Sequence, residues 1–259
     1  MAPIELLFLS ALAITSSALP YYKRPSVTSS TALKWFHGNP EAGSNAPAND
    51  YKCYNGDITK YPSLDSWLSF EDLWKVNRPS IASINDDDEY IPTYVKDAIL
   101  TVAKESNVNS RLILAAIMQE SSGKASVRCT HSGEIENCGM MQASYDSKSF
   151  DSSNPKESIL QMIREGVQGT STGGPNKEGG PGYAQYLEGL SWVDDAWTGN
   201  PYAAARAYNS GRVGKNLDVV EYGVESYAND IANRLLGWDG KGDGFKGCQA
   251  PSREGYGQS

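Results

Sequence analysis

Long apolar runs are missing from this sequence: after the amino terminus no stretch approaches the ~20 apolar residues needed to cross a bilayer. Imidazole is scarce as well, with only two histidines, His37 and His131. Gly169-Thr170-Ser171-Thr172-Gly173 matches the Gly-x-Ser-x-Gly pattern of serine hydrolases, but it has no strand before it and little histidine to serve as base. Basic residues are outnumbered, 23 against 31 acids, for a formal net charge of −8. That balance argues against nucleic acid as a partner and against general adhesion to anionic surfaces. There are only four cysteines, and Cys129, His131 and Cys138 lack a fourth ligand at zinc-site spacing, so no metal is expected. No cofactor is expected either. Gly242-Asp243-Gly244-Phe245-Lys246-Gly247 imitates a dinucleotide fingerprint without a βαβ unit around it. Asp239–Asp243 imitates a calcium loop, but Ala250 stands where the bidentate Glu belongs.

What is present first is a leader. Leu6–Ile14 (LLFLSALAI) is a short apolar run followed by Ser16-Ser17-Ala18, which reads as a signal peptide over residues 1–18. Its departure from the usual form is Glu5, with no Lys or Arg before the run. The mature chain is therefore expected to be secreted, extracellular and without a membrane span. In that setting an even cysteine count predicts two disulfides, for which three pairings exist. Cys129–Cys138 would close a short loop, leaving Cys53–Cys248 to tie an amino-terminal extension to the tail.

The pattern predicts a mainly α protein: an extension over 19–88 with one short helix, a helical domain over 89–238 and a Gly-rich tail over 239–259. Residues 37–50, rich in Gly, Asn, Pro and Ala, read as a linker. In Ser66–Lys75, Trp67, Phe70, Leu73 and Trp74 recur at helical spacing with Leu68 outside the stripe, an aromatic face that packs a short helix or stacks on sugar. The acids Asp86–Glu89 lead into a helix whose apolar face is Val95, Ala98, Ile99, Val102 and Ala103. Ser110 is the expected N-cap of the next helix, and Leu112–Met118 (LILAAIM) is apolar all round, the mark of a central buried helix. Asn154-Pro155 and Asn200-Pro201 open two more helices. The first carries Ile159, Met162, Ile163 and Val167 on its stripe. Val224–Leu236 reads as the last helix, with Gly237 at its end.

One residue is awkward in this scheme. Glu120 ends the buried LILAAIM helix, where both burial and the negative end of the helix dipole disfavour a carboxylate. Both effects raise its pKa, as a general acid working near neutrality requires. The bland alternative is that Glu120 frays into solvent with the polar cluster Gln119–Ser122.

Around it the chain carries, in order, Met118-Gln119-Glu120-Ser121-Ser122-Gly123, Gly139-Met140-Met141-Gln142 and Ala207-Tyr208-Asn209-Ser210-Gly211. This series resembles the lytic transglycosylase and goose-type lysozyme group. Gln168-Gly169-Thr170 and Tyr227-Ala228-Asn229-Asp230 are similar to segments of the goose-type lysozymes in particular. The resemblance covers roughly residues 90–238. It implies a lysozyme-like helical domain in which Glu120 protonates a glycosidic oxygen. It also implies that Ser121 and Gln142 shape the sugar site, that Tyr208 and Tyr227 flank Glu120, and that Asn209 holds the turn.

The departures bear on mechanism. Goose-type lysozymes carry an Asp two residues after the Met-Gln pair, where this chain has Ser144, and another in the loop that here spans Lys124–Cys138. That loop offers Glu134 and Glu136 as possible second carboxylates, and both read equally well as solvated acids. Inverting hydrolysis needs such a base to activate water. Without one, an internal substrate hydroxyl attacks and leaves an anhydro sugar. The function implied is cleavage of β-1,4 links between N-acetylmuramic acid and N-acetylglucosamine in peptidoglycan by a monomer. The rivals are a chitin-cleaving enzyme, which the acidic charge keeps open, and a non-catalytic wall-binding or effector protein.

Overall fold

In the computed structural model, residues 24–36, 50–172, 179–189 and 197–248 are described. The expected leader over 1–18 and nearly all of the expected linker lie outside them. Eight α-helices occur among the described residues: α1 (Ser30–Phe36), α2 (Phe70–Ile84), α3 (Tyr90–Ser106) and α4 (Ser110–Ser121), then α5 (Pro155–Gln168), α6 (Tyr183–Glu188), α7 (Pro201–Ser210) and α8 (Tyr227–Leu235). Three short strands, β1 (Thr130–Ser132), β2 (Ile135–Cys138) and β3 (Ala143–Ser144), form one antiparallel sheet in the order β1-β2-β3. The protein is mainly α.

Helix α4 is the hub. Every residue from Leu112 to Met118 is buried, as a helix apolar on all sides requires. α2, α3 and α8 pack around it, α3 lies along α5, and α6 and α7 continue the ring to α8. The cap of α4 is Asn109 rather than Ser110. The Asn109 Oδ1 accepts from the Arg111 N–H at 3.0 Å and from its guanidinium Nε at 3.2 Å, and a serine hydroxyl is too short to serve both. The other end stops at Ser122 and Gly123, both in left-handed conformations.

The asparagine–proline starts appear as expected. Pro155 occupies the first turn of α5, and Asn200 accepts from the Tyr202 and Ala203 N–H groups at the start of α7. The α5 stripe of Ile159, Met162, Ile163 and Val167 is fully buried, as are Val95, Ala98, Ile99, Val102 and Ala103 on α3.

Two further boundaries differ from expectation. The aromatic stripe at 67–74 is not one helix. Ser69 caps α2 by accepting from the Asp72 N–H, so Trp67 and Leu68 precede the helix in extended backbone. The Leu68 N–H bonds to the Leu235 carbonyl instead, and Leu68 is buried with Trp67. Trp67, Phe70 and Trp74 are core residues, and no ring face is left for sugar. The last helix begins at Tyr227, not Val224. Arg206 Nη2 takes the Val224 and Glu225 carbonyls, and Asn209 Oδ1 takes the Val224 N–H, which pins that segment outside the helix.

Residues 24–88 hold more structure than one short helix, with α1, the fifteen-residue α2 and two 3-10 turns. Val27, Ala32, Tyr54, Ile58, Tyr61 and Trp67 belong to the same core cluster as the later helices. The disulfides are Cys53–Cys248 and Cys129–Cys138, the expected pairs. Cys129–Cys138 closes the β1–β2 hairpin, and Cys53–Cys248 joins segments 195 residues apart.

Candidate active site

Glu120 lies in the last turn of α4, and the residue is only half-buried. Its carboxyl is nonetheless enclosed by protein, and burial pushes its pKa from 4.5 up to about 7. A hydrogen bond from the Tyr227 hydroxyl to Oε1, at 2.6 Å, pulls the other way by favouring the anion. No neighbouring carboxylate contributes to the rise among the described residues. Desolvation therefore wins over the charge-stabilising bond.

Tyr227 opens α8 and is itself buried. Its oxygen lies 3.2 Å from that of Tyr183, the first residue of α6. When Glu120 is ionised, Tyr227 spends its one hydrogen on the carboxylate and Tyr183 donates to Tyr227 in turn. Burial, with the nearby Glu120 charge, holds both phenols far above the usual tyrosine range, so they stay protonated donors. Tyr208, at the end of α7, stacks on Tyr183 at 4.4 Å between ring centroids and donates to the Met141 carbonyl at 2.7 Å. Side chains of α4, α6, α7 and α8 thus form one cluster, in which Tyr227 bonds the Glu120 carboxyl directly and Tyr183 joins through Tyr227.

The Gly139–Gln142 turn supports this cluster from one side. Ser121 Oγ donates to the Met140 carbonyl at 2.8 Å and accepts from the Gly123 N–H. Met141 packs against α5 only because residue 166 is glycine: a Cβ there would lie 2.4 Å from the Met141 Cβ. Gln142 turns back on its own loop, accepting from Thr130 Oγ1 at 2.7 Å and donating to the Gly139 and Arg128 carbonyls. Asn209 Oδ1 accepts from Arg206 and the Val224 N–H, so its amide holds the loop between α7 and α8. Thr170, in the Gln-Gly-Thr segment, bonds through Oγ1 to the Ser144 carbonyl and the Gly180 N–H, joining that segment to β3.

The structure therefore brings Glu120, Ser121, Tyr208 and Tyr227 together, with Gln142 and Asn209 in adjoining turns. Glu134 and Glu136 are elsewhere in character. Glu134 sits in the two-residue turn of the β1–β2 hairpin, and Glu136 is exposed with its carboxylate 3.6 Å from His131 Nε2. Neither contributes to the Glu120 shift. Among the described residues, Cys129, Glu136 and Cys138 bring ligand-type atoms within 4.8 Å of one another, but the two sulfurs are bonded to each other, which leaves no thiolate pair for a metal. Asp239 is occupied by Lys241, at 2.9 Å.

Tyr183 was not legible as a site residue. Tyr183, Tyr186 and Leu187 do recur at helical spacing, a signal overshadowed by the glycines before them. A second group without a sequence signal is Gln119, the residue before Glu120, with Asp230 and Arg234, joined side chain to side chain. In comparisons with known proteins, no family model, no curated protein and no solved structure matches the chain.

Proposed function

We propose that this protein is a secreted glycosidase with a lysozyme-like helical domain, cleaving β-1,4 links between N-acetylmuramic acid and N-acetylglucosamine in peptidoglycan. The observation that carries the reading is the state of Glu120. It is an enclosed carboxyl that burial pushes up to about 7, oriented by the Tyr183–Tyr227 pair, so a protonated acid is available near neutral pH. The resemblance of the five ordered motifs supplies the substrate class, and the two disulfides accord with an oxidising compartment. No helix among the described residues is long and apolar enough to cross a membrane.

In this reading the Glu120 proton passes to the glycosidic oxygen as the bond to C1 breaks, and the leaving sugar departs as an alcohol. Tyr227 then stabilises the carboxylate that is formed. With Ser144 where a second acid is expected, and with Glu134 and Glu136 exposed on the hairpin, we favour the route that needs a single carboxyl. A substrate hydroxyl attacks C1 and returns its proton to Glu120, leaving an anhydro end. Chitin is the second substrate to consider, because a chain of net charge −8 suits an uncharged polymer better than an anionic wall.

The test is digestion of purified peptidoglycan and chitin by the wild type and by Glu120→Gln, with product ends identified by mass spectrometry. Anhydro products from the wild type and none from the variant are expected. Reducing ends would indicate water as the nucleophile. Lysis by Glu120→Gln at the normal rate refutes the assignment, and no product from either polymer favours a wall-binding or effector protein instead.

A further inference from the structure

Residues 50–61, between α1 and α2, do more than give Tyr54, Ile58 and Tyr61 to the core. It lies along α8 as a strap. The Lys52 N–H donates to Asn233 Oδ1 and the Tyr54 N–H to Asn229 Oδ1. The Lys52 carbonyl accepts from both of those asparagine amides. The Leu217 N–H bonds to the Gly56 carbonyl further along. Cys53 then bonds the strap to Cys248, beyond the carboxyl end of α8.

A closed ring of side chains links this strap to the end of α4. The Tyr51 hydroxyl donates to Asp230 Oδ1 at 2.5 Å. Asp230 Oδ2 accepts from Gln119 Nε2 at 3.0 Å and from Ser226 Oγ at 2.6 Å. Gln119 Oε1 accepts from Arg234 Nε at 2.8 Å. The Arg234 guanidinium lies over the Trp238 ring at 5.0 Å, and Trp238 meets the Tyr51 ring edge-on at 4.8 Å, which closes the circuit. Gln119 is the residue before Glu120, and Asp230 stands one helical turn after Tyr227. The ring therefore couples the two helix ends that carry the proton donor and its phenolic partner.

We infer that Tyr51, Gln119 and Asp230 are positioning residues for Glu120, so that the amino-terminal strap, clamped by Cys53–Cys248, is a working part of the site. The inference rests on Glu120 as proton donor. Asp230 faces Arg234 on its own helix, Tyr51 on the strap and the buried Asp218 on the loop after α7. Glu120 faces Tyr227, Tyr183 and Tyr208. The Gln119 amide is held at both ends, by Asp230 and Arg234, which ties the last turn of α4 to α8.

The test uses the full, disulfide-bonded chain and the variants Tyr51→Phe, Gln119→Leu and Asp230→Asn, each checked by circular dichroism. Two readouts apply: the titration of the Glu120 carboxyl by carbon-13 NMR, assigned with Glu120→Gln, and kcat against KM on peptidoglycan. Loosening the ring admits water to the carboxyl. Glu120 is then expected to titrate at lower pH than in the wild type, with kcat down about tenfold and KM little changed. If Asp230→Asn fails to fold, Tyr51→Phe decides, because it removes one hydroxyl and keeps the ring contact with Trp238. Folded variants whose Glu120 titration and kcat match the wild type overturn the inference. If the wild type turns over neither polymer, or Glu120→Gln stays active, the catalytic reading fails, while the titration still decides whether the ring places the carboxyl.

Discussion

Replacing Glu120 by glutamine should make the protein more stable while removing the proton donor of the proposed reaction. The carboxyl titrates at about 7 in the fold, against 4.5 for an ordinary glutamate. Between those two values the folded chain holds a proton that the unfolded chain has already released, so stability falls as pH rises through that window. Below 4.5 the residue is neutral in both states and costs nothing. Above 7 the fold must carry an enclosed anion, and the full penalty applies, about 3 kcal/mol at 1.36 kcal/mol for each pKa unit. Glutamine has the same shape, no charge, and an amide oxygen that still accepts from Tyr227. Denaturant unfolding of the oxidised wild type and Glu120→Gln should therefore coincide at pH 4 and separate progressively towards pH 8. There the variant should gain about 3 kcal/mol, or roughly 6 to 12 °C in Tm for a domain of this size. A variant no more stable than wild type at pH 8 refutes the enclosed-anion argument. So does a gain that is the same at every pH, since that would reflect better packing and not relief from ionisation.

Tyr227→Phe removes the hydrogen bond that favours the Glu120 anion, so the carboxyl should titrate above 7, and in the proposed reaction the alkaline limb of the kcat profile should move up with it. Gly166→Ala should drive Met141 off α5 and shift the carbonyl that receives Tyr208. A loss of about 1–3 kcal/mol in urea unfolding and a fall in kcat are expected, and an unchanged Tm would show that the turn has room to move. Removing Cys53–Cys248 should cost about 5 kcal/mol on the loop-entropy account, roughly twice the effect of removing Cys129–Cys138, because the separations are 195 and 9 residues. Paired alanine variants compared by denaturant unfolding would show the order, and the reverse order would contradict it.

The residues that were readable in advance share one property, which is that their signal is local. Asn154-Pro155 and Asn200-Pro201 start helices because a proline in the first turn gives up no hydrogen bond, and nothing distant alters that. Leu112–Met118 had to be central because no face of it tolerates water. Asn109 displaced Ser110 as cap because a buried arginine needed a second bond, a demand visible only once Arg111 is in the core. Trp67 and Leu68 kept the helical spacing but left the helix, since the free Leu235 carbonyl at the end of α8 offered Leu68 a partner. Glu134 and Glu136 read equally well as a second carboxylate and as solvated acids; both are exposed on the hairpin, and neither contributes to the Glu120 shift.

Composition, periodicity and cysteine count thus determined by themselves a mainly α chain, its central helix, its two disulfides and the awkward position of Glu120. Tertiary structure alone decided what surrounds that carboxyl. Tyr227 is 107 residues away in sequence, and Tyr51 is 179 residues from the aspartate it holds. Helical periodicity reports on neighbours three and four residues apart, whereas a pKa depends on which distant side chains exclude water and which donate a proton. Its place on α4 made Glu120 a candidate acid, and tertiary enclosure together with the Tyr227 hydroxyl set how strongly it holds its proton.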